Sequence, residues 1–354
     1  MKKNLIFFIV NLSMSLLSQD KNSIHKAIVW RGFDHQWTYN HRINRIGSMV
    51  SMNEMGTFVG KHYSASGAGR DSTTFRQYHT LVESQDLFFF QGNHKITLTG
   101  KEAKLLTSRD NIILTLPKEF QNCSRAEVIL NGFELKSIRR SDKPVHFQIH
   151  TSNLVFDSVN HCAEFELQAD WVGNCETMEC AMFSNKTEYE INIPYLIIGY
   201  RRNRTELELV SETESYHWTK KKEYQSTPIQ KIVQNDHSKN ECFAGFKSLS
   251  FTVNEEQWMQ HLRFSIELLD PMKLHISMLF LDWKEGMKKY AVKKASKFLS
   301  SKKAGWVTMH SDILIFKTTN ATIIHGEHSG DMYWKGRNQS AENTNSESIF
   351  ELRY

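Results

Sequence analysis

Apolar and polar residues alternate with a period of two along most of the chain. From Ala163 to Trp171, apolar side chains at every second position are separated by acidic and amide side chains. Successive side chains of a strand point to opposite faces, so this pattern predicts an antiparallel strand with one face in a core. Similar patterns predict strands at 111–116, 146–150, 154–157, 188–193, 195–200 and 206–210.

The spacing of these segments predicts the fold class. The strands are short and no helical pattern alternates with them, which is typical of antiparallel sandwiches and barrels. We therefore expect a mostly β protein made of antiparallel β-sandwich or jelly-roll-like units. Asn131-Gly132 lies between two apolar runs, and this pair is a strong signal for a two-residue hairpin turn.

The periodic pattern weakens between residues 219 and 241. This segment opens with three lysines and has no sustained periodicity beyond 229–233. Because chains longer than about 250–300 residues tend to form more than one core, we expect an N-terminal β-rich domain at 20–218, a linker at 219–241 and a C-terminal β-rich domain at 242–354. Strands are predicted in the second unit at 247–253, 274–281, 306–310, 313–317 and 322–325.

One segment of the C-terminal part has a helical period. Gly305 follows as a stop signal a set of apolar residues that recur at helical spacing, so we expect one amphipathic helix; the set is Met287, Tyr290, Ala291, Ala295, Phe298 and Leu299. The segment 255–269 fits both a helix and a strand.

The pattern of the first nineteen residues predicts a cleavable signal peptide. Lys2 and Lys3 precede an apolar run at 5–12, and polar residues follow near Ser18. The run is shorter than the roughly 20 apolar residues that span a bilayer, which disfavours the alternative of an uncleaved anchor. We therefore expect a secreted protein with no transmembrane span.

Composition agrees with a folded exported chain. Hydrophobic residues make up 40% of the sequence, with 8 Trp and 22 Phe, which suffices for packed cores. Loss of Lys2 and Lys3 lowers the formal net charge from +5 to +3. A net charge this small does not by itself indicate the type of partner. Nucleic acid is a poor partner for an exported chain.

All five cysteines lie beyond the signal segment. Cys175 and Cys180 are close enough in sequence to close a small disulfide loop, which an oxidising compartment permits. A bond between Cys123 and Cys162 is an open alternative, and Cys242 is then left over. Glycosylation sequons occur at Asn122, Asn185, Asn203, Asn320 and Asn338.

The first candidate binding site lies near the N-terminus. If residues 30–42 form a strand, one face carries His35, Trp37, Tyr39 and His41, and Arg42 follows. Aromatic rings stack on sugar rings and polar groups fix their orientation, so this face is a candidate sugar site. The alternative is that the aromatic residues belong to the core. Arg31, Arg42 and Arg45 are candidates to pair with a carboxylate or sulfate.

The second candidate site lies on the predicted helix. Lys289, Lys293 and Lys297 are four residues apart and form one stripe, which would attract a sulfated or uronic-acid glycan. The alternative is a solvated surface of the helix.

Metal and cofactor motifs are weak. His146, Gln148 and His150 share one strand face but lack a third convergent ligand by spacing. His325, Glu327 and His328 lie near Asp331 in a predicted turn. We therefore expect no metal and no cofactor.

Two short motifs resemble those of the alginate-lyase family of jelly-roll enzymes. They are Gln148-Ile149-His150 and Arg204-Thr205-Glu206-Leu207. Their order is the reverse of the family's, and the family's third motif is missing, so we assign the chain to no family. We expect a secreted binding or matrix-type protein that recognises an anionic glycan or matrix component. The alternative is a secreted lyase on uronic-acid or sulfated glycans, with His35, Tyr39, His41 and Arg42 as first candidates.

Overall fold

The computed structural model describes thirteen stretches of the chain. They are residues 25–37, 45–52, 58–63, 72–101, 104–137, 143–174, 186–218, 229–234, 241–253, 259–269, 273–282, 305–333 and 345–350. Twenty strands lie in these stretches: β1 His25–Trp37, β2 Arg45–Met52, β3 Phe58–Tyr63, β4 Ser72–Ser84, β5 Leu87–Lys101, β6 Leu106–Thr115, β7 Arg125–Leu130, β8 Gly132–Ser137, β9 Lys143–Thr151, β10 Val155–Asp157, β11 Cys162–Asn174, β12 Lys186–Tyr200, β13 Thr205–Trp218, β14 Ile229–Gln234, β15 Cys242–Val253, β16 Met259–Leu269, β17 Lys273–Asp282, β18 Gly305–Thr318, β19 Ala321–Tyr333 and β20 Asn345–Phe350.

The mostly β, antiparallel fold class is confirmed. All strand pairs described are antiparallel, and the helical structure among the described residues is one 3₁₀ turn, Lys118–Asn122. Of the segment 255–269, which fitted both a helix and a strand, residues 259–269 form strand β16. Within the described stretches, no helix has the length and apolar character needed to cross a membrane.

The strands form three sheets. The first has the order β14-β17-β16-β1-β4-β19. The second has the order β20-β3-β2-β8-β12-β5, with β7 also paired to β12. The third has the order β10-β11-β9-β15-β18-β13, with β6 also paired to β11. Strand spacing along the sequence indicated the antiparallel class, but it does not fix how many sheets the strands make.

Each sheet combines strands from both sides of residues 219–241. In the first sheet β1 pairs with β16, and in the third sheet β9 pairs with β15. In the second sheet β3 pairs with β20. The segment predicted as a linker itself contains strand β14, which pairs with β17.

Aromatic side chains join the three sheets in the main core. The ring of Phe133 on β8 lies 6.3 Å from Trp30 on β1 and 5.1 Å from Phe147 on β9, measured between ring centroids. The chain of contacts continues from Phe147 to Trp171 at 6.0 Å and from Trp171 to Tyr189 at 5.1 Å. The five rings are buried, so one core holds all three sheets together.

A second, smaller core lies on the opposite faces of the same strands. Phe243 and Phe316 stack there with ring centroids 4.7 Å apart. Gly245 brings β15 against Ile129 of β7 and Val29 of β1, and a methyl group at this glycine would overlap the Ile129 side chain. The centre of the molecule is therefore a close approach of three strands, one from each sheet.

The predicted hairpin at Asn131-Gly132 is wrong. Strands β7 and β8 flank this pair, and both are antiparallel to β12, so they run in the same direction. Asn131 interrupts the pairing, and its backbone N–H donates to the carbonyl of Pro194 at 2.8 Å. Gly132 has φ of +123°, a conformation that favours glycine. Gly132 therefore has the positive φ that the Asn-Gly pair predicts. It lies at a break between β7 and β8, which continue in the same direction along β12, and not in a hairpin turn.

Candidate functional site

An extended polar surface covers one side of the third sheet. The side chains of Phe147, Ile149, Leu249 and Met309 point into the core. Because strand side chains alternate, the residues between them lie on the opposite face. We call this surface the polar face; it comprises Gln168 and Asp170 of β11, His146, Gln148 and His150 of β9, Ser248, Ser250 and Thr252 of β15, Trp306, Thr308, His310 and Asp312 of β18, and Ser211, Thr213 and Ser215 of β13.

The strand register arranges these side chains in rows across the sheet. The central row runs Asp170, Gln148, Ser250, His310 and Thr213. Four spacings of about 4.8 Å separate the outer strands of this row, so it is about 19 Å long. Thr213 is exposed, while Gln148, Ser250 and His310 are partly exposed. A row of this length can contact an extended ligand that crosses the strands.

His310 and Asp312 form the best-defined polar cluster of this face. The Nε2 atom of His310 lies 3.3 Å from Asp312 Oδ2, and Nδ1 is hydrogen-bonded to Thr213 Oγ1 at 2.8 Å. Ser211 and Ser248 donate their hydroxyls to the two carboxylate oxygens of Asp312 at 2.5 and 2.6 Å. Each polar atom of this pair of side chains therefore has a partner.

These contacts set the charges of the cluster. The hydrogen bond from His310 and those from Ser211 and Ser248 lower the pKa of Asp312 well below its ordinary value. Asp312 in turn raises the pKa of His310 above 6.5, since a nearby carboxylate favours the protonated imidazole. The pair is therefore a carboxylate beside an imidazole that holds its proton more tightly than usual.

The pKa values of the other two imidazoles of the polar face, His146 and His150, are lowered and not raised. Burial lowers the pKa of His150 and outweighs the opposing negative charges of Asp312 and Glu166, while the positive charges of Lys247 and His310 act in the same direction as burial. Burial also lowers the pKa of His146, whose Nδ1 is hydrogen-bonded to Thr252 Oγ1 at 2.7 Å. Near neutral pH these two rings are neutral and can each offer one donor and one acceptor.

Trp306 adds an aromatic ring at one end of the face. It lies on β18 two residues before Thr308 and four before His310, so all three side chains share a face. The indole is partly exposed. The polar face therefore carries an aromatic ring as well as hydroxyl, carboxamide and imidazole groups; aromatic rings and imidazoles are also the groups predicted for the sugar site near the N-terminus.

The structure places His35 in the core. Its side chain is 1% exposed and packs edge-on against Phe33, with ring centroids 5.2 Å apart. The imidazole is therefore shielded from solvent. Trp37 is the last residue of β1, where it pairs with Thr73, but its side chain lies outside the described residues.

Arg31 is also buried, and its guanidinium donates hydrogen bonds to backbone carbonyls. It donates to the carbonyl of His79 at 3.0 and 3.2 Å, to that of Gly326 at 3.3 Å, and to that of Ile266. Burial lowers its pKa to about 10. The expectation that Arg31 pairs with a ligand's carboxylate or sulfate is wrong, because its donors bind strands β4, β16 and β19 instead.

Several predicted sites lie outside the described residues. They are the signal segment 1–19, Tyr39, His41, Arg42, Cys175, Cys180, and the predicted helix with Lys289, Lys293 and Lys297. The sugar site near the N-terminus, the lysine stripe and the disulfide loop remain predictions.

The second candidate metal motif lies on a strand and not in a turn. His325, Glu327 and His328 belong to β19, and His325 and Glu327 share a face of this strand. His325 Nδ1 is hydrogen-bonded to Thr80 Oγ1 at 2.9 Å. Among the described residues, no three His, Cys, Asp or Glu side chains converge as metal ligands.

The described cysteines are free thiols. Cys123 and Cys162 are not joined, so the alternative of a bond between them is wrong. Burial raises the pKa of Cys123 to about 12 and that of Cys242 to about 11. Thiols with so high a pKa are poor nucleophiles, because the thiolate is the reactive form.

Sequence reasoning missed most of this face. It found the strand 306–310 and the face shared by His146, Gln148 and His150, but it interpreted these residues as weak metal ligands and, for 148–150, as a short alginate-lyase-like motif. Trp306, Thr308 and His310 also alternate with the apolar Val307 and Met309, and this signal was present in the sequence. What the sequence lacked was the pairing that sets β9, β15, β18 and β13 side by side.

Comparison with known proteins adds no further assignment. The chain matches no known protein family, no curated protein and no solved structure.

Proposed function

We propose that this chain is a secreted protein that binds an extracellular glycan through the polar face. The observation that carries the proposal is the row of hydroxyl, carboxamide and imidazole groups across the third sheet, together with the partly exposed Trp306, which lies on the same face of β18 four residues along the strand from His310. Export rests on the signal pattern of residues 1–19.

The chemistry of a sugar fits this surface. A pyranose ring has apolar faces that stack on an aromatic ring, and its hydroxyls both donate and accept hydrogen bonds. Trp306 supplies the ring. The neutral imidazole of His150 and the carboxamide of Gln148 supply donors and acceptors on the same face.

The charges of the face favour a hydroxyl-rich stretch of glycan. Asp170 and Asp312 are carboxylates, and the imidazole of His310 is paired with one of them. An anionic glycan or matrix component would need cations; the candidates are the exposed Arg109 of β6, which is paired with Gln168 at the edge of this face, and the stripe of Lys289, Lys293 and Lys297.

A second candidate function is a lyase on uronic-acid glycans. The observation in its favour is that Gln148 and His150 project together onto the polar face, with the pKa of His150 lowered by burial, so that its neutral ring can accept a proton. A lyase also needs a cation beside the uronate carboxylate. Lys247 is near His150, but its ammonium is bonded to Glu127 and Asn153, each at 3.2 Å.

The proposal includes two modifications that follow export. Asn122, Asn203 and Asn320 are exposed and begin sequons, so we expect N-glycans there when a eukaryotic cell secretes the chain. We also expect the disulfide between Cys175 and Cys180.

Binding to a panel of soluble polysaccharides tests the main proposal. The secreted chain is run through gels that contain neutral or anionic polymers, and retardation is measured. We expect retardation by at least one polymer and a loss of about tenfold in affinity for Trp306→Ala, since an aromatic contact is worth about 1 kcal/mol or more. Trp306→Phe keeps a ring and should retain most of the binding.

Ile324→Ala is the matched control, because Ile324 is an exposed apolar residue on the first sheet. If no polymer is bound, or if Trp306→Ala binds as tightly as the parent chain, the proposal fails. A rise in ultraviolet absorbance from unsaturated products during the same incubations would favour the lyase.

A further inference from the structure

Four arginines lie together at one end of the molecule, where strand β12 leads into β13. Arg201, Arg202 and Arg204 belong to the turn between these strands, and Arg125 begins β7 directly opposite Tyr200, the last residue of β12. All four arginines are exposed. We call the surface formed by Arg125, Arg201, Arg202 and Arg204 the basic pole.

Hydrogen bonds hold the turn against the start of β7. The backbone N–H of Arg204 donates to the carbonyl of Arg201 at 2.9 Å and closes the turn. The backbone N–H of Arg202 donates to Ser124 Oγ at 2.9 Å, and Arg201 Nε donates to the carbonyl of Asn122 at 3.2 Å. The backbone that carries the arginines is therefore fixed, so a ligand would not have to order it.

Electrostatic effects confirm that the arginines are close to one another. Burial raises the pKa of Tyr200 to about 12, and the positive charges of Arg125 and Arg202 both oppose that rise. The charge of Arg201 acts on the pKa of the neighbouring Cys123 in the same sense. Positive charges held this close repel one another, so a bound anion lowers their electrostatic energy.

Within the described stretches, no carboxylate forms an ion pair with any of the four guanidinium groups. Glu127 is paired with Lys247 at 3.2 Å, and Glu208 is paired with Lys317 at 2.8 Å. The other carboxylates of the adjoining segments are Asp86, Glu119, Glu206 and Glu241. They reduce the positive potential of the pole but leave its arginine side chains open to a ligand.

The surroundings of the basic pole favour a glycan over a membrane. A protein that binds a lipid surface usually adds apolar side chains that enter the bilayer. The exposed large apolar residues of the described stretches belong neither to the turn 201–204 nor to residues 118–125. The planar fork of arginine binds sulfate and carboxylate groups with two parallel hydrogen bonds.

We propose that the basic pole binds the sulfate or carboxylate groups of an anionic glycan. This inference rests on the proposed function, the binding of an extracellular glycan, and adds a surface for anionic groups. Thr205, the residue after the turn, lies opposite Thr318 of β18, and Trp306 lies twelve residues before Thr318. The basic pole and the aromatic part of the polar face are thus about 40 Å apart along β18, so they can be tested separately.

Matched dextrans test the inference. The chain is secreted into a bacterial periplasm, because an N-glycan at Asn122 or Asn203 would cover the basic pole. Affinity is measured for dextran sulfate, carboxymethyl dextran and neutral dextran at several salt concentrations. We expect at least one charged dextran to bind, and to bind more weakly as salt is added, since salt screens exposed charges. The charged dextran that binds more tightly identifies the preferred anion.

Replacing Arg202 and Arg204 together by Ala removes two of the four cations. Both side chains are exposed and the backbone hydrogen bonds of the turn are kept, so the melting temperature should not change. We expect the affinity for the charged dextran to fall about tenfold, because two exposed charge contacts are lost. Replacing both by Lys keeps the charges and should restore part of the affinity, since lysine lacks the planar fork.

The matched control replaces the exposed Lys104 and Lys136 together by Ala. This change removes the same net charge away from the pole, since Lys136 lies opposite Glu190, ten residues before Tyr200 on β12. We expect less than a twofold change in affinity. An equal loss in the control would show that only net charge matters, and the inference would be overturned.

The remaining outcomes separate this inference from the proposed polar face. If Trp306→Ala binds the charged dextran as well as the parent chain does and the arginine variant does not, the basic pole is a surface of its own. If no charged dextran binds, or if Arg202→Ala with Arg204→Ala binds as tightly as the parent chain, the inference is overturned while the polar face can still bind a neutral polymer. Binding to phosphatidylserine vesicles without binding to either charged dextran also overturns it.

Discussion

The three imidazoles of the polar face differ in charge because their neighbours differ. His310 lies beside Asp312, and this carboxylate raises its pKa. His146 and His150 have no such dominant partner, so burial lowers the pKa of each. Between the lowered and the raised values, one imidazole of the face is charged and two are neutral.

Replacing Asp312 by Asn should destabilise the protein in a way that depends on pH. The folded pKa of His310 is raised, so its contribution is fully present below about 6.5 and is lost as pH rises through the folded value. The folded pKa of Asp312 is lowered, so its contribution is present above about 3.8 and is lost in stronger acid. The stability difference should therefore be largest between about pH 4 and 6.5.

Urea unfolding of the parent chain and Asp312→Asn at a series of pH values measures this difference. We expect about 2 kcal/mol at pH 5.5 and a smaller value at pH 9, where the hydrogen bonds from Ser211 and Ser248 remain. Ser215→Ala changes an exposed hydroxyl of β13 and is the control. A difference that is constant from pH 5.5 to 9 would contradict the charge assignment.

At the scale of elements, two of the central strands each contain a β-bulge at a cationic residue. The register of β1 against β4 shifts between Trp30 and Gly32, and that of β15 against β18 shifts between Phe246 and Ser248. The skipped residues are Arg31 and Lys247, both buried and both hydrogen-bonded. After a bulge, the residues with even and odd numbers exchange faces of the strand. Along β15, the side chains that enter the main core are therefore at even positions before the bulge and at odd positions after it.

Asn131 is the element-scale link between the first and second sheets. Its Oδ1 accepts from the backbone N–H of Trp30 at 2.9 Å, and its Nδ2 donates to the carbonyl of Val50 at 3.3 Å. This part of β1 lies before the residues that pair with β16, which begin at Gly32. The Asn131 side chain therefore supplies to this part of β1 a hydrogen bond that a neighbouring strand would otherwise supply.

Asn131→Ala should lower the free energy of unfolding by about 2–4 kcal/mol. The change leaves a buried N–H and a buried carbonyl without partners, each at a cost of about 1–3 kcal/mol. Chemical denaturation measures the loss. Asn111→Ala is the control, because Asn111 is exposed and its side chain donates to the exposed Glu164, so the expected change is below 0.5 kcal/mol. Equal effects of the two variants would contradict the bridging role.

These elements also show how far the sequence could predict the structure. Local alternation identified β11, because its inward and outward residues differ clearly over nine positions. It split β18 into two strands and began β15 at Lys247, because apolar runs and a bulge interrupt the period. The candidate site depends on pairings such as Ser250 with His310, which join distant residues and leave no local signal.

At the scale of the whole molecule, the three sheets are interdependent. The main core contains Trp30, Phe133 and Phe251, one from each sheet, and it includes residues from both sides of 219–241. The polar face has the same dependence, since β9 and β13 precede that segment while β15 and β18 follow it. Folding of this core and formation of the site are therefore expected to occur together.

The predicted division at 219–241 can be tested by separating the two parts. We expect residues 20–218 and 242–354, expressed alone, to lack a cooperative unfolding transition, because β1 would lose β16 and β9 would lose β15. Circular dichroism and tryptophan fluorescence during urea unfolding measure cooperativity. The intact chain should give coincident transitions by both probes, and the two fragments mixed during refolding should recover them in part. A fragment that unfolds cooperatively alone would instead establish it as an independent domain, and the polar face would then be an interface-dependent site assembled from two folded units.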